Sequence, residues 1–237
     1  MGNRNDEKIK KTLQITTDNY ELSVRVFKKY KYSYEQLLSQ NENTKADSVI
    51  WSETYLDFYP FQHILDYNRK TPTKSYGVKP NNSERLIESR LKISGNDCDV
   101  YYSYSVEHKD NEVVFCVKEN GAKVFLKFGV CYGTNAVALH YIYIVFYHES
   151  TAIDKVLFYC SNEFEEVERF SMSQYLYNSE GRVNKIIRDG LAKQYSVDFT
   201  VVPTITFRFD YKDEKTLIYA KQLKLDGTDN EKIIFSK

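Results

Sequence analysis

Histidines, cysteines and two charge-rich runs are the parts of this 237-residue chain with chemistry to offer. His63, His108, His140 and His148 share no metal-ligand spacing, and Cys98, Cys116, Cys131 and Cys160 include no C-x-x-C pair. Cys116, Cys131 and Cys160 lie in apolar, strand-like runs, where a thiol packs as a small hydrophobe and a reducing compartment is favoured. His140 falls one strand step from Cys131 if their strands pair. That is the arrangement of an activated thiol, although a satisfied core histidine is the simpler reading. His148-Glu149 follows a long apolar strand, which puts two ionisable groups at a sheet rim. No GxGxxG, GxxxxGK[ST], GxSxG or HExxH motif is present. No catalytic residue, metal ligand or cofactor is therefore assigned.

The charge-rich runs offer binding. Lys28-Lys29-Tyr30-Lys31-Tyr32-Ser33-Tyr34 interleaves bases with aromatics, the composition of a surface that stacks on bases and contacts phosphates. An edge strand guarded by lysines explains the same residues and is preferred. Glu163-Phe164-Glu165-Glu166-Val167-Glu168 forms an acidic patch suited to a cationic partner, or else a solvated strand or turn. The candidate binding residues are Tyr30, Tyr32, Tyr34, Glu163, Glu165, Glu166, His148 and Glu149.

Lys+Arg and Asp+Glu balance at 33 each, which argues against a nucleic-acid binder with a basic excess. The most apolar run, Val137 to Tyr147, is too short for a membrane span. The polar start lacks an apolar signal core, so a cytoplasmic location is expected unless a leader has been trimmed. The chain is long enough to bury a sizeable core, either as one β-rich domain or as two smaller ones.

These residues need elements to hold them, and the tyrosines indicate which. Many of the 21 stand two apart, as in Tyr102-Ser-Tyr104, Tyr141-Ile-Tyr143 and Tyr175-Leu-Tyr177, so each pair shares one face of a strand. Glu21 to Tyr34 alternates and reads as a half-buried strand. Short helices are expected near residues 34–40 and 61–67, and a loop over 69–83. Strands are expected over 100–107, 113–117 and 124–132, with Asn120-Gly121 as a tight hairpin turn. Val137 to Tyr147 is apolar on both faces, so it should run mid-sheet with both sides covered and pair with 155–160. Residues 172–177 pair with 182–187, and 204–211 alternates throughout. The expected fold is mainly β (β or α+β), an antiparallel meander of hairpins forming a large curved sheet or β-roll. After a frayed segment over 1–12, residues 13–237 form a single domain, with 13–80 as a less regular subregion.

Tyr175-Leu-Tyr177-Asn178-Ser-Glu-Gly181-Arg182-Val183 resembles the tyrosine-aspartate (YD, or Rhs-type) repeat, Tyr-x-Tyr-Asp-x-x-Gly-Arg-hydrophobic, with Asn178 in place of the aspartate. Phe209 to Leu217 and Tyr102 to Val114 are similar to weaker copies. The resemblance implies hairpins with polar turns and transfers no catalytic residue. Extended arrays of this repeat form shells around toxins, and this chain is too short for one. The functional expectation is a non-catalytic interaction protein that meets a protein partner through a tyrosine-rich sheet face. An immunity-type inhibitor of a bacterial toxin is the specific form of that expectation. The alternative is a small-ligand-binding or hydrolytic β-roll with an aromatic cavity. Oligomeric state is left open.

Overall fold

A computed structural model describes residues 3–42, 48–52, 57–66, 74–76, 85–91, 99–105, 112–131, 134, 136–148, 152–161, 167–193, 199–213, 217–223 and 232–236. The described strands form one 13-stranded antiparallel sheet. The first three strands are β1 (Ser48–Ser52), β2 (Lys74–Tyr76) and β3 (Arg85–Leu91), with β1 paired to both of the others. From β3 onward each strand pairs with the next in sequence: β4 (Asp99–Ser105), β5 (Glu112–Glu119), β6 (Ala122–Val130), β7 (Val137–His148) and β8 (Ala152–Ser161). The meander continues through β9 (Val167–Tyr177), β10 (Val183–Lys193), β11 (Phe199–Tyr211), β12 (Leu217–Leu223) and β13 (Lys232–Ser236). The order leaves β2 and β13 as edges, so the sheet is open.

Local chemistry fixes the turns. Asn120 (φ 47°) and Gly121 (φ 82°) both take the left-handed conformation that matches a two-residue turn to the twist of β5 and β6. Between β9 and β10 the Asn178 side-chain oxygen accepts the backbone N–H of Glu180 and of Arg182, and Gly181 has φ 74°. The weaker tyrosine segments also fall at strand joins, β4–β5 and β11–β12. Strand β2 lies within the stretch read from sequence as a loop.

The N-terminal segment corrects a larger expectation. Residues 21–34 are not a strand. Helix α1 spans Asn3–Tyr30, beginning within the segment expected to fray, and α2 follows at Tyr34–Glu42. Over 16–30, the part of α1 whose burial is described, the inward residues are Thr16, Asn19, Ser23, Val26 and Phe27, with Tyr20 and Tyr30 packed beside them. Those steps of three and four are a helical stripe. Its polar members hide the period from an apolar reading, and the fully buried Ser23 hydroxyl is satisfied by the Asn19 carbonyl at 2.9 Å.

Strand β7 runs mid-sheet and is apolar on both faces, as expected. Leu139, Ile142 and Ile144 enter one core with Phe115, Leu126, Phe128, Phe170 and Met172, covered by α1 and α2. Tyr143 and Val145 enter a second core on the opposite face, with Phe125, Val156, Tyr175, Ile186, Phe207 and Phe209. The cover there is the segment 57–66, which includes the short helix α3 (Gln62–Leu65).

That segment also spans several strands. Phe58 stacks on Phe125 of β6, Tyr59 packs on Tyr143 of β7, the Pro60 carbonyl accepts the Tyr175 hydroxyl of β9, and Phe61 packs on Phe209 of β11. In a flat sheet β6 and β11 would be separated by roughly 24 Å, at about 4.8 Å per strand step. The α-carbons of Phe58 and Phe61 can be at most about 11 Å apart. The paired aromatic side chains at both ends make up the difference, and the segment sits as a plug on the concave face of the curved sheet.

The plug is braced internally. Asp57 accepts the backbone N–H of His63 at 2.9 Å and pairs with its ring Nδ1, while the Gln62 side chain accepts the Phe58 N–H at 2.8 Å. Phe61 adopts φ 67°, a costly conformation for a bulky residue, and its ring contact with Phe209 offsets that strain. Phe58→Ala should lower stability by about 3–4 kcal/mol, as truncation of buried aromatics does. Val130→Ala, at an exposed site, should change it by less than about 0.5 kcal/mol. Urea denaturation of both variants checks the pair, and a Phe58 effect no larger than the Val130 effect would remove the plug from the core.

Candidate functional site

The candidate binding residues named from sequence do not come together as one site. Tyr30 ends α1 and donates its hydroxyl to Glu119 at 2.7 Å, beside Lys29, whose ammonium reaches the same carboxylate at 2.6 Å. Hydrogen bonds from Lys29 and then Tyr30 hold the Glu119 carboxyl below its ordinary range. Tyr34 begins α2 and packs on Phe115 and Phe128, with ring centroids 6.2 and 5.5 Å away. Tyr32 is 85% exposed, under the Lys31 ammonium. These tyrosines thus lie at a helix end and an interhelical turn, neither on an edge strand nor on a shared stacking face. His148 ends β7, exposed, and pairs with Asp154 at 2.9 Å. Glu149, Glu163, Glu165 and Glu166 lie outside the described residues.

The Cys131–His140 idea also meets the register. Val130 pairs with Val137, and Cys131 donates its backbone N–H to the Ala136 carbonyl, which sets Cys131 beside Ala136. His140 is the extra residue of a bulge between the Leu139 and Tyr141 pairings, and its ring lies against Gly129. Among the described residues no cluster has the makings of a metal site, and no helix is long and apolar enough to cross a membrane.

The arrangement with chemical content lies instead on the concave face, beside the plug. A cavity of about 330 Å³ opens there. Its floor is a set of cross-strand rows. One runs Lys127, Tyr141, Cys160, Arg169 across β6 to β9, and the next runs Phe125, Tyr143, Phe158, Ser171, Gly190 across β6 to β10. The third brings Val145, Val156, Ser173 and Arg188 together. Arg169, Ser171 and Ser173 are two apart on β9 and share its concave face, while Phe170 and Met172 fill the core under α1. Space exists because this corner is small: Ser171 and Gly190 continue a row of aromatics, and Ser173 continues a row of valines. Tyr59, Leu65 and Asp66 of the plug form the remaining wall.

Arg188 is the centre of the polar network. It donates through Nη2 to Asp66 Oδ1 at 3.0 Å and through Nε to Ser173 Oγ at 2.9 Å, with its Cζ 5.5 Å from the Phe207 ring centroid. Its side chain is only 11% exposed. The other Asp66 oxygen accepts the Tyr59 hydroxyl at 2.5 Å and the Tyr143 hydroxyl at 3.4 Å. Burial opposes the Arg188 charge, but Tyr59, Asp66 and Tyr175 outweigh it and leave its pKa raised. Burial first, and the Asp66 charge second, pushes the Tyr59 hydroxyl well above the usual tyrosine range; burial does the same to Tyr175. Both phenols stay protonated and serve as donors. At the rim, Lys127 pairs with Glu112 at 2.6 Å and lies 4.9 Å from the Tyr141 ring centroid.

Sequence reading passed over this site. Its available signal was the alternation Arg169-x-Ser171-x-Ser173, a polar face on a strand whose other face is apolar. No family model matches the chain, and neither a curated protein nor a solved structure matches it.

Two outcomes test these contacts. Asp66→Asn leaves the Arg188 charge buried without its counter-ion and should cost about 2–4 kcal/mol, whereas Asp66→Asn with Arg188→Met should cost less than the sum of the single changes. Additive losses in chemical denaturation would mean that the two groups do not couple. At Glu119 the folded-state pKa lies below the unfolded value of about 4.3, so its contribution is present above that pH and is lost as pH falls through the folded value. Glu119→Gln should therefore lower the thermal midpoint at pH 7, and the deficit should shrink as the pH is taken below the unfolded-state value, as read by circular dichroism.

Proposed function

We propose that this is a small-molecule-binding protein whose ligand occupies the concave pocket between the plug and strands β6 to β10. One observation carries the reading: on a sheet face otherwise packed with aromatic and aliphatic side chains, a 330 Å³ space is kept open and lined by convergent polar groups. Its volume falls at the small end of ligand pockets, and its lining is more polar than most, which suits a small polar ligand. The aromatic walls Tyr141, Tyr143 and Phe158 are suited to a flat or apolar body, and the arginines and serines to a polar head.

Binding is favoured over hydrolysis by how the carboxylate is used. Asp66 is the sole carboxylate among the residues lining the cavity, and both its oxygens accept hydrogen bonds from Tyr59, Tyr143 and Arg188. The Ser173 hydroxyl accepts from Arg188 and has no general base among its described partners. A protein partner such as a toxin draws no comparable support from the described residues. Tyr30 and Tyr34 turn into the structure, and the acidic run of glutamates is not described.

An NMR screen of small aromatic compounds tests the reading. Binders should shift backbone resonances of residues 171–173 and 188–190. Ser171→Leu, which fills the pocket from its floor, should abolish those shifts while the spectrum stays dispersed. If no compound perturbs these residues at millimolar concentration, or Ser171→Leu leaves binding unchanged, the pocket is not the ligand site.

A further inference from the structure

We infer that the ligand's head group is an anion, a carboxylate or phosphate, held between Arg188, Arg169 and the Ser171 hydroxyl; this rests on the pocket reading above. Charge is the first reason. The lining carries Lys127, Arg169 and Arg188 against Asp66; Lys127 is already paired with Glu112 at the rim, so one positive charge is left over, with Arg188 buried in the cavity and Arg169 exposed at its mouth.

The second reason is unspent donor capacity. A guanidinium has five N–H donors, and Arg188 uses Nε on Ser173 and one Nη2 hydrogen on Asp66. Three donors remain without a partner among the described residues, on a side chain about nine-tenths buried. Among the described residues the one buried side-chain atom without a partner is Gln62 Nε2, so these Arg188 donors are reached from the cavity and are open to an acceptor that enters it. Ser171 is 8% exposed, faces the same cavity, and makes no side-chain hydrogen bond to a described residue. Arg169 precedes it by two residues on the same strand face and forms no ion pair with a described residue.

Geometry supplies the third. Ser173 lies opposite Arg188, and Ser171 lies one row away, opposite Gly190, which adds no side chain. The unspent guanidinium hydrogens and the Ser171 hydroxyl thus border one gap, with Arg169 at its outer end. A planar or tetrahedral oxyanion accepting from both arginines and the serine fits that gap by charge and by donor count. Its apolar remainder would lie on Tyr143 and Phe158. Asp66 already neutralises one side of Arg188, so the site is suited to a single anionic group.

Calorimetric titration with phenylacetate, phenyl phosphate and the neutral phenylacetamide, at 20 and 200 mM salt, tests this. Both anions should bind at least tenfold more tightly than the amide at low salt and weaken as salt rises. Arg169→Gln should weaken the anions at least fivefold and leave the amide unchanged. Arg208→Gln removes the same charge from the opposite face of β11 and should change neither. The stronger of the two anions identifies the preferred head group. If the amide binds as well as the anions, or Arg169→Gln affects all three alike, the anion assignment is overturned and the pocket stands. If none of the three binds, both readings fall.

Discussion

Everything else in this protein depends on the contact between residues 57–66 and the concave face of the sheet. A long antiparallel meander ordinarily covers one face and wets the other. Here the central strands are apolar on both faces, so the sheet needs two covers. The helices α1 and α2 supply one. The second is a ten-residue segment whose successive residues Phe58, Tyr59, Pro60 and Phe61 touch β6, β7, β9 and β11. So small a cover suffices because its aromatic side chains reach across the curved sheet from both ends. The left-handed Phe61 and the Asp57–His63 brace are the local means of folding it into that shape.

The plug does not fill the whole concavity, and the gap is chemically different from the rest of the face. Where β9 and β10 cross it, Ser171, Ser173 and Gly190 replace bulky residues, and Arg188 is bound to the plug through Asp66. One ion pair therefore serves two ends: it fastens the plug's C-terminal end to the sheet, and it orients a buried guanidinium whose remaining hydrogens face the cavity. Burying such a pair is weak evidence for stability in itself. Its value here is positional, since it sets an arginine at a fixed place beside the aromatic walls of the cavity.

The sheet was legible in the sequence because its signals are local. Asn120-Gly121, Asn178 to Gly181, and strands of alternating side chains specify hairpins without reference to the rest of the chain. The two-faced apolarity of Val137 to Tyr147 correctly implied two covers. Helix α1 was misread because its buried stripe uses Thr16, Asn19 and Ser23, so its apolar residues alone mimic a strand's alternation. The pocket was not legible because it is assembled across strands β6 to β10 and a segment more than a hundred residues earlier than Arg169. Nothing local marks Ser171 or Arg188 as different from any polar residue on a strand. Lys28 to Tyr34 misled in the opposite sense: its composition suggests a surface, but the turn between α1 and α2 directs Tyr30 and Tyr34 inward.

Hydrogen exchange measured by mass spectrometry with and without phenyl phosphate tests the central claim, that a ligand sits between plug and sheet, most directly. Exchange should slow in residues 57–66, 169–173 and 188–190 together, with α1 unchanged. Protection confined to α1 and α2, or slowing of β9 and β10 without residues 57–66, would contradict it.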